Sequence, residues 1–370
     1  MKRLKYWLLL LPAVFFQSSC FGGETIDIAA IYALTGAAAQ SNAYSLQGVR
    51  LGVDELNTKG GILSKRLNLL VFDNQSSPIG SSVAAEQAAA ANVVAILGSV
   101  WSSHSIPIAK VAQEKAIPMI SNFSTHMALT EIGDYIFRVC FTDDFQGEAM
   151  ARFARQEFKA KTAVVFVNLT SDYSLGLSRL FRQAFEKLGG RVLGEMEYKP
   201  KYENLAPLLL RTKEMNADVV FVAGQDESGL IVKRLQDAGV RSIALGGDGW
   251  SEESFLNHGG KDLELGYYCS HWSESSESQR SRAFVSKYQE TGQFGVGTAL
   301  AYDALMLLAD AIERAGSVEK EKIRDALANT TAFEGVTGTI GFNAQRNPVK
   351  SAVIMKVSKG ERSYFKTLGP

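Results

Sequence analysis

Cysteine and histidine are scarce in this chain, and the few present are scattered. Cys20, Cys140 and Cys269 form no C-x-x-C pair, and His104, His126, His258 and His271 share no spacing that would hold a metal. Those shortages exclude a zinc ribbon, a C-x-x-C redox centre and a scaffold built from disulfides. Charge of one sign is also lacking: 39 Lys and Arg stand against 39 Asp and Glu, so no net field steers the chain toward nucleic acid or an anionic membrane surface. There is no P-loop and no G-x-S-x-G elbow, and Ser102 with nearby His104 has no evident orienting carboxylate. Neither catalysis nor a cofactor is expected.

What is present is ordinary globular composition. Hydrophobic residues make up 46% and charged residues 21% of 370 residues, enough chain for two domains that each bury a core. The first 20 residues differ from the rest. Lys2, Arg3 and Lys5 precede an apolar run at 6–16, and Gln17, Ser18, Ser19 and Cys20 follow it. This is the pattern of a secretory signal, too short to span a bilayer. Cys20 stands where a bacterial lipobox has its lipidated cysteine, although Gln17 replaces the usual aliphatic residue. Lipidation at Cys20 and ordinary cleavage nearby are the two options, and both place the remaining chain outside the cytoplasm.

From residue 25 onward, short β-branched runs alternate with longer helical stretches. The run at 25–33 reads as a strand, and Leu46, Val49, Val53 and Leu56 then fall at the three- and four-residue spacing of a helix laid on a sheet. The alternation continues with strands expected at 67–73, 93–98, 118–121 and 135–140. A second βα set follows, with strands at 162–167, 191–197, 218–223, 242–246 and 266–271. Helices return at 279–290, 297–315 and 318–329, before a tail of short strands. Repeated βα order predicts mostly parallel, doubly wound sheets. With no Pro/Gly/Ser linker between the sets, and helices returning after the second, the chain is expected to cross between two lobes more than once. The cleft facing the strand carboxyl ends is the natural ligand site.

Eight stretches in order carry a resemblance: IYALTG at 31–36, GVRLGVDELNTKGGI at 48–62, FDNQSSP at 72–78, LGSVWSSHS at 97–105, PMISNFSTHMALT at 118–130, FRVCFTDDFQG at 137–147, DYSLG at 172–176 and GGDGW at 246–250. On these the chain resembles type I periplasmic binding proteins of the leucine/isoleucine/valine-binding family, the receptors of branched-chain amino-acid ABC importers. The resemblance implies an α/β fold of two doubly wound βα lobes joined by a three-segment hinge. It implies a first lobe of residues 24–140 plus 274–338 and a second of 141–273 plus 339–370, after the signal at 1–20. It further implies a monomer that binds a free amino acid, branched-chain-like or otherwise hydrophobic, and hands it to an ABC permease. Contact with the membrane is expected only through the lipid anchor. Receptors or sensors for amides, urea or aromatic acids are the alternative on the same fold.

The family's cleft residues match Ser102, Thr125, Tyr173, Gln225 and Asp248. Ser102 and Ser103 lie where a strand runs into a helix expected to open near Ser105, a place that suits a carboxylate and equally suits a plain helix cap. Thr125 follows the next strand on the same edge. Asp248, in a Gly-Gly-Asp-Gly turn, is either the partner of a ligand ammonium or a turn aspartate. Tyr173 either covers the ligand or lies on a surface loop. Trp101, Phe123 and Trp250 flank these positions and are expected to shape the cleft or its rim, while a tyrosine that the leucine-type proteins carry near Ser41 is absent. Cys140 and Cys269 fall in segments that run side by side between lobes in this family, so a disulfide across the hinge is one expectation and two buried thiols the other.

Overall fold

The computed structural model describes residues 24–199, 205–292 and 294–370; the signal segment and Cys20 lie outside them. The first βα set comprises β1 (Ile26–Tyr32), α1 (Ala39–Thr58), β2 (Leu67–Asp73), α2 (Pro78–Ala90), β3 (Ala95–Leu97), α3 (Ser102–Glu114), β4 (Met119–Ser121), the short α4 (Ala128–Glu131) and β5 (Ile136–Arg138). Its five strands form one parallel sheet in the order β2-β1-β3-β4-β5. Strand periodicity sorts the side chains of β1 cleanly. Ile26, Ile28, Ala30 and Tyr32 enter the core on one face, and Ala29 and Ile31 that on the other.

The second set runs α5 (Asp143–Glu157), β6 (Thr162–Asn168), α6 (Asp172–Lys187), β7 (Arg191–Tyr198), α7 (Ala206–Met215), β8 (Val219–Ala223), α8 (Ser228–Asp237), β9 (Ile243–Gly246), α9 (Glu253–Asn257) and β10 (Gly266–Ser270). The inner strands here are near-continuous apolar runs buried on both faces, while the edge strand β7 is more polar. In β8, Val219, Phe221 and Ala223 enter one core and Val220 and Val222 the other.

The chain then returns. Helices α10 (Gln279–Tyr288), α11 (Val296–Ala315) and α12 (Lys320–Ala328) and the small hairpin of β11 (Phe333–Gly335) and β12 (Gly338–Ile340) pack with the first set. The closest approach is between α1 and α11, where a Cβ at Gly48 would sit 2.1 Å from the Thr298 carbonyl oxygen. Finally β13 (Ala352–Ser358) and β14 (Glu361–Leu368) add two antiparallel strands to the second sheet, whose order is β14-β13-β10-β9-β8-β6-β7. The chain therefore passes between the lobes three times, at 139–142, 271–278 and 341–351.

These crossings are tied together by a buried lysine. Lys350 donates from Nζ to the Val139 carbonyl at 3.2 Å and to Thr337 Oγ1 at 2.5 Å, joining the third crossing to the first. Thr337 in turn donates to Asp303 Oδ2 at 2.6 Å, and the backbone N–H groups of Val336 and Thr337 cap the same carboxylate. Burial pulls the Lys350 ammonium down to about 8, against the favourable pull of Asp303.

The cross-hinge disulfide is not formed. Cys140 and Cys269 are both free, buried thiols. Cys140 packs in the first lobe's core and points its Sγ at the Ser124 carbonyl, 3.3 Å away, while Cys269 packs in the core of the second lobe. Each side chain follows its own lobe's apolar interior, which points the two sulfurs into different cores. Alkylation in denaturant without reductant is expected to label both cysteines; a pair that reacts only after reduction would contradict this arrangement.

Candidate functional site

On the first lobe, the loops leaving β3 and β4 meet at the sheet's carboxyl edge. α3 begins at Ser102, three residues earlier than the sequence suggested; Pro107 lies inside it, although Pro suits a first helical turn best and so favours a later start. Ser102 Oγ accepts from the His126 N–H at 3.4 Å, and Ser105 Oγ pairs with Ser124 Oγ at 2.6 Å. Ser124 Oγ also lies 3.0 Å from the Val100 carbonyl. Thr125 is buried beside them and lines the same wall.

The loop at 122–126 is pinned from below by Arg138, a fully buried guanidinium at the end of β5. It donates to the carbonyls of Ser124 and His126, each at 2.8 Å, and to Thr130 Oγ1 at 3.4 Å. Sequence reasoning did not single out Arg138, because an arginine at a strand end reads as surface.

On the second lobe, β9 runs into a single 3-10 turn, Asp248–Ser251. The Asp248 carboxylate is buried and held by two neutral donors. Gln146 Nε2, from α5, donates to Oδ1 at 2.9 Å, and His271 Nε2, just past β10, lies 2.8 Å from Oδ2. Burial pushes the His271 imidazole down, favouring the neutral ring, so the proton shared with Asp248 belongs on Nε2. Tyr173, from α6, accepts the Gly249 N–H at 3.2 Å. A Cβ at Gly247 would sit 2.4 Å from the Tyr173 hydroxyl, so only glycine lets the turn and the tyrosine meet. Gln146 and His271 were not among the expected site residues; both lie where the chain enters or leaves a crossing, and nothing in their spacing marks them.

The two edges face one another across a pocket. Ser102, Phe123 and Thr125 line it from the first lobe and Tyr173, Gln225 and Asp248 from the second, together with Val100, Gly249 and Glu252. Six of the nine expected ligand-site residues are thus brought together. Ser103 is not on this wall: its Oγ accepts the Asp172 N–H at 3.2 Å, a contact between lobes at the mouth. Trp101 stacks on His104 with ring centroids 5.3 Å apart and, with Ser103, faces a separate outer groove. Trp250 does not reach the cleft. Its indole turns back under the sheet, stacked 4.6 Å from Phe255, and donates to the Val222 carbonyl at 3.2 Å. The tight 3-10 turn that sets Asp248 on the cleft wall sends the residue two places later into the core.

A family model described as "Periplasmic binding protein" matches residues 25–362. This chain belongs to the periplasmic binding protein family. Among relatives, the Leu/Ile/Val-binding protein BraC3 of Rhizobium johnstonii is 30% identical over 315 residues, covering 84% of this chain and 83% of that protein. Among solved structures, the leucine-binding protein LivK of Thermotoga maritima has a TM-score of 0.89 at 31% identity, covering 94% of this chain and 99% of that one. The branched-chain amino acid transporter substrate-binding protein LivJ of Streptococcus pneumoniae, solved with isoleucine, has a TM-score of 0.87 at 28% identity, covering 94% of this chain and all of that one. The type I periplasmic binding protein architecture expected from the motifs is the one observed.

As a member of this family the protein has a further acid beneath its ligand wall. Gln146 Nε2 also donates to Asp143 Oδ1 at 2.8 Å. Burial, and then the nearby Asp248 carboxylate, push Asp143 up to about 7. The folded state therefore binds more protons than the unfolded chain between the ordinary aspartate value near pH 4 and pH 7, so this group makes stability fall as pH rises through that window. Asp143→Asn is expected to flatten that fall and to leave the protein more stable than wild type by about 1–3 kcal/mol at pH 8. Unfolding curves from pH 4 to 8 measure it; a variant with the same slope as wild type would refute the assignment.

Proposed function

We propose that the protein is the extracytoplasmic receptor of an ABC importer and that it binds a free α-amino acid between its lobes. The observation that carries this reading is the opposition across the cleft. One wall offers Ser102 at the start of α3 and Thr125 from the loop after β4, hydroxyl residues that suit a carboxylate. The other offers the buried Asp248 carboxylate, bonded by Gln146 and His271, where an ammonium completes the pairing. Tyr173 and Gln225 close the site over the ligand backbone.

Between Ser102, Thr125 and Asp248 the cleft holds about 10 Å³, enough for roughly one water, so a ligand backbone reaches these groups only when the lobes part. The contact of Ser103 with Asp172 then reforms over it, and hinge closure buries the ligand. In this reading the closed monomer docks on a permease, and a lipid on Cys20 keeps it at the membrane surface. Nothing in the mechanism calls for catalysis or a cofactor. The amino-acid-binding and branched-chain transport names of its relatives support the same reading.

A thermal-shift panel of the common L-amino acids, urea, short amides and aromatic acids tests it. A ligand far above its dissociation constant adds about 3–4 kcal/mol of stability, and the melting temperature rises with it. An amino acid is expected to produce that shift, and Asp248→Asn to weaken its binding by about 100-fold or more. A shift from an amide or an aromatic acid, with none from any amino acid, would overturn the reading.

A further inference from the structure

Just past the 3-10 turn that carries Asp248 lies a second buried acid, Glu252. It lines the narrow pocket and also a larger chamber of about 250 Å³ that continues from it between the lobes on the hinge side. Its side chain is almost wholly buried, and its Oε2 has no hydrogen-bond partner. The polar groups around it are Ser41 and two more carboxylates, Asp226 and Asp248. Asp226 is itself buried and takes a hydrogen bond from Ser254 Oγ at 2.5 Å. Among the described residues, no Lys or Arg side chain forms an ion pair with any of these three carboxylates. Arg362, the one cation on the chamber wall, pairs with Glu253 at 2.5 Å and otherwise donates to the backbone carbonyls of Trp250 and Glu252.

The ligand's ammonium is met by Asp248, whereas burial and then the neighbouring Asp226 push the Glu252 carboxyl well up, so without a second cation the Glu252–Asp226 pair keeps a proton. Glu252 remains facing the chamber into which a ligand side chain must extend. An aliphatic side chain would leave the unpartnered Glu252 Oε2 against hydrocarbon, a cost that a Leu or Val at this position would avoid. The other walls suit a long stem with a cationic end. Phe123, Tyr44, Trp272 and Phe294 supply aromatic faces, over which methylenes pack and a guanidinium or ammonium is attracted.

We propose that the preferred ligand is an amino acid with a cationic side chain, arginine-like or lysine-like, whose charged end is met by Glu252 beside the Asp226 carboxylate, in place of the branched side chain that the family resemblance implies. The proposal rests on the amino-acid reading above and assigns the side-chain half of the same site.

Isothermal titration of the purified protein with L-arginine, L-lysine, L-citrulline, L-leucine, L-isoleucine and L-valine tests it. Citrulline keeps the length and shape of arginine without the charge. Arginine or lysine is expected to bind at least tenfold tighter than citrulline and than each branched amino acid. Glu252→Gln is expected to remove most of that advantage while leaving citrulline within about threefold. The order of wild-type affinities decides the question even if the variant fails to fold. Leucine, isoleucine, valine or citrulline binding as tightly as both cations would overturn this inference and leave the amino-acid receptor intact. So would a Glu252→Gln protein that folds and keeps the full cationic preference. Binding of no amino acid at all would overturn the receptor reading, and this proposal with it.

Discussion

A carboxylate taken out of water and bonded only to neutral donors carries a desolvation cost that those donors offset in part. Asp248 is in that position, and the ligand face of the second lobe is assembled around it. Gln146 ties the start of α5 to it, His271 ties the segment leaving β10, and Tyr173 ties α6 through the neighbouring Gly249 N–H. Three stretches far apart in sequence are thereby held to one turn. In the proposed amino-acid reading, that residual cost is offset when the ligand ammonium arrives, so part of the energy favouring binding lies in how this wall is built. Arg138 does the corresponding work on the first lobe, where its guanidinium holds the 122–126 loop by its carbonyls.

The fold was legible because the first sheet and the central strands of the second are parallel and covered by helices, which makes those strands mostly apolar runs separated by amphipathic helices. The site was legible where it follows from strand direction: Ser102, Thr125 and Asp248 all lie just beyond the carboxyl ends of β3, β4 and β9. What was not legible depends on where a side chain turns after the backbone is placed. Trp250 is two residues from Asp248 and reads as a neighbour in the cleft, yet the 3-10 turn rotates it into the core against Phe255. Ser103 points at the opposite lobe rather than into the pocket. His271 lies in none of the eight family-like stretches, and Arg138 and Gln146 lie in the 137–147 stretch without standing out in it; their roles come from partners twenty-three, fourteen and about a hundred positions away. The cysteines show the same limit, since side-by-side crossings fix backbone proximity and leave each thiol free to follow its own core.

Closure between two such lobes demands that the crossings bend while the walls stay rigid. Lys350 bonds the third crossing to the first and, through Thr337, reaches the Asp303 carboxylate behind them. A buried ammonium with hydrogen bonds on both sides resists sliding of one crossing past another, because any slip strands a charge. A hinge rotation, with the serine-lined wall and the Asp248 wall moving as intact bodies, is the closure motion that such a tie favours.

The order of the chain has a consequence for how the protein comes into being. The first lobe's core takes Leu300, Leu305 and Leu308 from α11 and Ile340 from β12, although its sheet is complete by residue 138. A growing chain that has just finished that sheet still exposes the face of α1 and β1 that α11 will cover. Synthesis at roughly 5–20 residues per second separates the two events by on the order of ten to forty seconds. During that interval the amino-terminal half remains an unsealed, aggregation-prone intermediate. The second lobe, whose sheet receives β13 and β14 from the last residues of the chain, is completed later still, after a shorter wait. Both halves are thus completed only at the end of synthesis, leaving a long window in which a chaperone can hold the chain unfolded.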